Sequence, residues 1–370
     1  MGARMTHSTP LPQSLPAYAT RAREVLSSEA WAYFNSGAAD EITAAKNVQA
    51  WQSWSLLPRV LQDLRHGDTR CRLLDRSWST PILIAPMAHQ AWAHALGEQA
   101  TALAACSLGC GFVLSQHSHT HLAQIAHLVL PETQRGPLWF QIAEGCDRGF
   151  LRELITQIRH AGYESLVLSV DAPVQGSRDR MRELGARIPA HLNTPHWRNA
   201  TPSKKGLCNG HVENAWRWDD VQWLQAEAQL PLLLKGITHP LDAQQAAKLG
   251  IDGVIVSNHG GRVLDTQVST AHQLPLIAEA LQGDAALLVD GGIRRGSDIF
   301  KAIALGAQAV LVGRPCLYGL AVAGAQGVAH VLRLLRDELE MTMALCGCRN
   351  LNSISRAHLQ AHHNLGGWMR

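Results

Sequence analysis

The stretch VIVSNHGGRVLD, Val254 to Asp265, changes character halfway along. Its first half (Val254, Ile255, Val256) is apolar and β-branched, the composition of a strand buried on both faces. Its second half is polar where a core would stay apolar. Ser257, Asn258 and His259 stand at the strand's C-terminal end, Gly260 and Gly261 let the chain turn, and Arg262 and Asp265 follow. A titratable imidazole beside a fixed cation suits a substrate with both an acidic proton and a negative charge. The chain has 19 His, however, and a lone strand-end His is as often structural as chemical. His259 gains weight only because seven other segments end in the same way.

Those segments are PILIAPMA (81–88), GFVLSQ (111–116), PLWFQIA (137–143), SLVLSVDA (165–172), PLLLKGI (231–237), ALLVDGGI (286–293) and AVLVGRP (309–315), with GVIVSNHG (253–260) as the sixth in order. Helical patterns such as GEQATALAACSLG, GFLRELITQIRHAG, PLDAQQAAKLG and GSDIFKAIALG separate them, several stopping at Gly. Eight apolar strands alternating with helices predict an α/β chain folded as a (β/α)8 barrel, whose active site gathers where the strands end. The polar strand ends then form one set in space: Ser115, Gln141, Asp171, Lys235, Ser257, His259, Asp290 and Arg314.

The rest is read around that barrel as a single domain over 1–370, with a helical cap over 1–80 and the barrel over 81–345. Residues 1–15 are rich in Pro, Ser and Thr and are expected to be loose. AYATRAREVL, SEAWAYFNSG (closing on Gly37 as a C-cap) and AADEITAAKNVQAWQSW predict three helices with no strand repeat among them. Between the fourth and fifth strands, residues 174–225 form a long insertion, expected to act as a lid with Arg178 at its root.

Composition narrows the function. A net charge of +3 without a basic, aromatic-laced stripe gives no nucleic-acid signature. The longest apolar runs are of strand length and the N-terminus has no apolar signal core, so no membrane span and a cytoplasmic location are expected. The eight Cys contain no C-x-x-C pair, which fits reduced thiols.

The last two repeats carry a cofactor signal. Loops after the seventh and eighth strands of barrels commonly hold a phosphate, and Gly291, Gly292, Arg294, Gly313 and Arg314 fit that role. The absence of G-x-G-x-x-G after an early strand favours a mononucleotide over a nicotinamide dinucleotide. Lys235, ending an apolar strand, needs an anion to offset its desolvation. A reduced flavin would supply one, with Gln141 and Ser115 on the edge of its ring.

The stretches SNHGGRVLD, DGGIRRGSDIFKAIALGA, VGRP, RDELEMTMALCGCRNLNSISR, PILIAPMA and SVDAP resemble the FMN-dependent 2-hydroxy-acid oxidases and dehydrogenases, the family of glycolate oxidase and lactate oxidase. The likeness runs in order from about Tyr33 to about Leu359. It implies that His259 is the base, that Asp171 stabilises its imidazolium, and that Arg262 clamps the substrate carboxylate with Arg178 and Tyr33. It implies further that Lys235 supports the reduced flavin, which rests on Met87 and Ala88 and is held by Ser115, Gln141, Ser169 and Ser257. The phosphate and ribityl tail would meet Asp290, Gly291, Gly292, Arg294, Gly313 and Arg314. A small-molecule carboxylate substrate, oxygen or a quinone as electron acceptor and a homo-oligomer, often a tetramer, follow from the same resemblance.

Two departures stand out. Ala143 replaces the Tyr of the family's F-Q-L-Y pattern, and His117 replaces the aromatic of its S-S-W pattern. Loss of a phenol and an indole from one pocket implies a bulkier or specialised acid, or else altered or lost oxidase chemistry in an isomerase-like or non-catalytic FMN barrel. A metal-dependent barrel hydrolase is a further alternative, because His117, His119 and His121 alternate and would share one face of an extended segment.

Overall fold

The computed structural model describes residues 10–143, 147–197, 212 and 215–361. Three helices open the chain: α1 (Leu15–Val25), α2 (Ser28–Asn35) and α3 (Ile42–Gln52). Three short strands follow: β1 (Trp54–Leu56), β2 (Cys71–Leu73) and β3 (Arg76–Trp78). The barrel then runs β4 (Ile82–Ile84), α4 (Gly97–Ser107), β5 (Gly111–Ser115), α5 (Leu122–Val129), β6 (Leu138–Ile142), α6 (Arg148–His160) and β7 (Ser165–Ser169). After α7 (Asp179–Glu183) and α8 (Trp218–Ala228) come β8 (Leu232–Ile237), α9 (Pro240–Lys248), β9 (Gly253–Val256) and α10 (Thr270–Leu281). The chain ends with β10 (Ala286–Val289), α11 (Gly296–Ala304), β11 (Ala309–Val312), α12 (Arg314–Leu345) and β12 (Leu359–Ala361).

Strands β4 to β11 close into a parallel barrel in sequence order, β11 pairing with β4. All eight segments read as strands lie in this ring, and four polar residues at their ends stay paired in the sheet, Ser115 with Gln141 and Ser169 with Lys235. Alternate residues divide the core. Leu83, Val113, Trp139, Val167, Leu233, Ile255, Leu288 and Leu311 fill the interior, while Ile82, Ile84, Phe112, Leu114 and their equivalents meet the helices. The helices' closing glycines Gly109, Gly162, Gly250 and Gly306 all adopt left-handed φ, as stop signals require.

The front segment differs from the sequence reading in two respects. It contributes strands: β1 pairs antiparallel with β12, and the β2–β3 hairpin inserts Trp78 edge-on against Trp139 in the barrel interior. The segment therefore serves both ends of the barrel. Gly37 is also not a left-handed cap, since α2 stops at Ser36 with φ −67°. Gly37 is small because a Cβ there would approach Gly261 O and Ala44 Cβ at 3.0 Å, a packing requirement with no local signature.

The insertion's residues 198–211 and 213–214 lie outside the described set, so the lid reading is open there. Its described start forms α7, with Arg178 as N-cap. Among the described residues one helix, α12, is long and apolar enough by composition to cross a bilayer. Most of its apolar window is buried, and Ala323 and Gly324 break it. Interspersed polar residues had hidden that length.

Candidate active site

The strand-end side chains do converge. His259 Nδ1 lies 3.2 and 3.3 Å from the two Asp171 carboxylate oxygens, so its Nε2 is the nitrogen left for a substrate. Lys235 Nζ donates to Ser257 Oγ at 2.8 Å and sits 3.1 Å from Asp290 Oδ2, and Ser257 Oγ accepts the His259 N–H at 3.1 Å. His259 (φ 56°), Gly260 and Gly261 are consecutive left-handed residues. For a His that conformation is strained, by about 1–3 kcal/mol, and it persists here because Ser257 and Asp171 hold both ends of the residue.

A residue absent from the sequence reading makes this possible. The β8–β9 register shifts between Lys235 and Ile237, and Gly236 in the bulge has φ 116°. A Cβ on Gly236 would stand 2.5 Å from Asp171 Cβ and 2.7 Å from its Cγ, so only glycine lets Asp171 occupy its place between Lys235 and His259. The Lys-Gly dipeptide at a strand end was the signal available for it.

Charge is balanced within the group. Burial pushes the Lys235 ammonium down, but the Asp290 and Asp171 charges outweigh it and leave its pKa raised. Burial pushes Asp171 up, while the charge and hydrogen bond of His259, then Lys235, more than reverse it and hold the carboxyl below its ordinary value. Asp290 Oδ1 is buried with no hydrogen-bond partner among the described residues.

Beside this pair stands a group of cations. Arg262 Nη1 donates to the backbone oxygens of Tyr33, Phe34 and Ser36 at 2.8, 3.1 and 3.1 Å. Arg314 donates to Gly260, Ser36 and Phe34 oxygens at 2.9, 3.0 and 3.3 Å. One of its five donors is thus engaged with the turn that carries His259 and two with the end of α2, which leaves two without a partner among the described residues. Arg178 and Arg262 lie over the Tyr33 ring at 5.6 and 5.4 Å, and Arg178 Nη1 is buried without a partner among the described residues. Burial, then repulsion from Arg178 and Arg314, lowers Arg262 to about 9. Burial raises the Tyr33 phenol, opposed by Arg262 and Arg178. An anion arriving here would relieve crowded like charge and satisfy an idle donor.

A third row crosses three strand ends. Ser115 Oγ donates to Gln141 Oε1 and Gln141 Nε2 donates to Ser169 Oγ, both at 2.9 Å, which fixes the amide's orientation. Met87 and Ala88 follow β4, and Gly313 caps α12 where an added Cβ would find Met87 Sδ at 3.7 Å. Gly291 and Gly292 are left-handed and packed on α3: a Cβ on Gly292 would reach Asn47 O at 2.1 Å, and Gly291 O accepts from Trp51 Nε1 at 2.8 Å. Arg294 is lowered, by burial first, and its Nη1 donates to Ile293 O at 2.9 Å. Asp298 accepts the Arg294 and Arg295 N–H groups at 2.9 and 3.0 Å.

The remaining predicted residues divide between pocket and scaffold. Ala143 follows β6 and its N–H donates to Gln116 Oε1 at 2.9 Å. His117 is lowered to about 4 by burial and then by the charge of His259. Asp265 lies away from the chemistry. It accepts the Thr43 and Ile42 N–H groups at 2.8 and 3.3 Å, capping α3, whose own N-cap Glu41 gives no side-chain capping bond. Asn258 forms a reciprocal amide pair with Asn47 at 2.7 and 2.8 Å. The alternating His residues diverge: His117 faces Trp197, His119 lies 3.8 Å from Glu98, and His121 caps α5. Among the described residues no three potential ligands gather around one point.

Residues 22–361 match the family model described as FMN-dependent dehydrogenase. The chain is 43% identical to an L-lactate oxidase of Nostoc sp. over 94% of its own length and 98% of that protein. It is 38% identical to glycolate oxidase 1 of Zea mays over 92% and 94%. A solved mandelate oxidase variant with (S)-mandelic acid superposes with a TM-score of 0.85 at 34% identity, covering 95% of this chain and 98% of that one.

Proposed function

The chain belongs to the FMN-dependent dehydrogenase family, its 2-hydroxy-acid oxidase branch included, and from that premise we propose that it oxidises an L-2-hydroxy acid bulkier than lactate or glycolate to the 2-oxo acid, with oxygen as electron acceptor. The observation that carries this reading is the His259–Asp171 pair standing beside the Arg262, Arg178 and Tyr33 cluster at one barrel mouth.

The residues fit FMN. The Ser115–Gln141–Ser169 row presents a fixed polar edge to a flat ring, and Lys235 offers a buried cation beside it. Arg294, Gly291, Gly292, Gly313 and the two unengaged donors of Arg314 would hold the phosphate and ribityl tail, with Asp290 Oδ1 free to accept from a hydroxyl. When bound, FMN supplies a two-electron acceptor.

The chain's own groups do the rest. Arg178 Nη1 and Arg262 bind the substrate carboxylate, and Tyr33 orients it through its phenol. His259 Nε2 then takes a proton from the substrate. The negative Asp171 at Nδ1 stabilises the imidazolium that forms, an interaction stronger in the transition state than before it. Lys235, kept charged by Asp290 and Asp171, would supply positive charge to the acceptor ring. Ala143 and His117 leave the side-chain end of the pocket wider than a Tyr and a Trp would. Steady-state oxygen uptake with matched release of 2-oxo acid and hydrogen peroxide tests the proposal. Turnover restricted to glycolate and lactate would refute the size argument, and no turnover of any L-2-hydroxy acid would refute the reaction.

A further inference from the structure

Within its described part, the insertion after β7 carries a buried anchor on the barrel, His196. His196 is 1% exposed. Its Nε2 accepts the Leu122 N–H at 2.9 Å, its Nδ1 lies 3.4 Å from Ser118 Oγ, and its carbonyl accepts from Gln116 Nε2 at 3.3 Å. The ring stands edge-on to Phe140 at 5.5 Å. Since Nε2 accepts a backbone N–H, the imidazole is neutral with its proton on Nδ1, consistent with a pKa that burial and then His121 lower to about 3. Gln116, which holds the His196 carbonyl, also accepts the N–H of Ala143 through Oε1. One side chain thus ties the insertion to the strand end that lacks the family's Tyr.

The residue after this anchor is Trp197. Its ring lies 5.2 Å from His117, tilted 39°. From there a continuous series of rings leads inward: His117 to His89 at 6.3 Å, and His89 to Tyr33 at 5.8 Å. Tyr33 is the ring under Arg178 and Arg262, where the carboxylate binds. The wall therefore begins at the acid end of the substrate and ends at an indole supplied by the insertion.

We propose that Trp197 is a specificity-determining residue, closing the substrate's side-chain pocket and selecting 2-hydroxy acids with a flat, uncharged ring on the α-carbon. The proposal rests on the 2-hydroxy-acid reading and adds the substrate class. Two facts narrow that class. Ring faces and edges favour an aromatic side chain beyond its buried area alone. His89 and His117, both lowered to about 4 with burial the leading cause, are neutral at pH 7 and offer a second carboxylate no charge partner. The space left at Ala143 admits the ring, and Trp197 restores an aromatic surface where the family's own aromatic is replaced by His117.

The test uses the full FMN-loaded chain. Anaerobic flavin reduction by (S)-mandelate and by L-lactate is compared in wild type, Trp197→Ala and Trp197→Phe, with binding of phenylglyoxylate measured by calorimetry. Trp197→Ala should lower the mandelate-to-lactate ratio of kcat/KM by about tenfold and weaken phenylglyoxylate by a similar factor, one lost ring contact plus its burial. Trp197→Phe should recover most of both. An unchanged ratio and unchanged binding in Trp197→Ala, with oxidation intact, would overturn this inference alone. A wild type that no 2-hydroxy acid reduces would remove the underlying reaction and the inference with it.

Discussion

Gly236→Ala probes the geometry on which the base depends without touching any group that carries charge. The added methyl would stand 2.5 Å from Asp171 Cβ and 2.7 Å from its Cγ, against about 3.5–4.0 Å for carbon atoms in contact. Relief requires a shift of about 1 Å, and the neighbour that must yield is the residue bonded to His259 Nδ1. The φ of 116° adds backbone strain that an L-residue cannot shed. A misplacement of about 1 Å in a catalytic array can cost about a hundredfold in rate. We predict that kcat falls about a hundredfold while KM changes far less, because Arg178, Arg262 and Tyr33 sit on other elements. Stability should fall by about 1–3 kcal/mol, the usual cost of overpacking. Steady-state kinetics corrected for bound flavin, with thermal unfolding alongside, separates the two effects. A Gly236→Ala enzyme with wild-type kcat would refute the claim that the bulge sets the position of Asp171.

Three further outcomes follow from the same geometry. Arg262→Met should reduce kcat/KM by about a hundredfold or more, since a desolvated anion loses a charge-assisted partner worth about 2–5 kcal/mol; unaltered kinetics would release Arg262 from the clamp. Ala143→Tyr should shift preference toward L-lactate by about 1–3 kcal/mol, read as a change in kcat/KM ratio, and no shift would show that position 143 does not line the pocket. His89, His117 and His196 all have folded pKa values depressed by burial, to about 4, 4 and 3. Their contribution to stability is therefore complete above the unfolded value of about 6.5 and is lost as pH falls toward the folded values. Denaturant unfolding across pH 7 to 4 should show a steep acid-side decline, shallower in His117→Gln; a flat profile would contradict the neutral wall.

The barrel was legible because period and punctuation agreed: apolar β-branched runs, polar ends and left-handed glycines at 109, 162, 250 and 306. The meeting of Asp171, Lys235, His259 and Asp290 was legible because charged or titratable side chains at the ends of buried strands need partners there. What stayed hidden depends on contacts between residues far apart in sequence. Gly37 and Gly292 are glycine because a distant backbone lies against them, and Asp265 caps a helix more than two hundred residues earlier. β1 and β12 are too short to show a period, and each exists through the other. The His196–Trp197 anchor carries no local pattern, since its partners come from the loop after β5 and the first residue of α5.

Anaerobic rapid mixing of the FMN-loaded protein with a panel of L-2-hydroxy acids, followed through the flavin absorbance, is the most direct measurement. We predict bleaching in a single phase with one equivalent of 2-oxo acid formed per flavin, lost in His259→Gln. Flavin that stays oxidised with every acid of the panel, or bleaching that survives His259→Gln undiminished, would contradict the account.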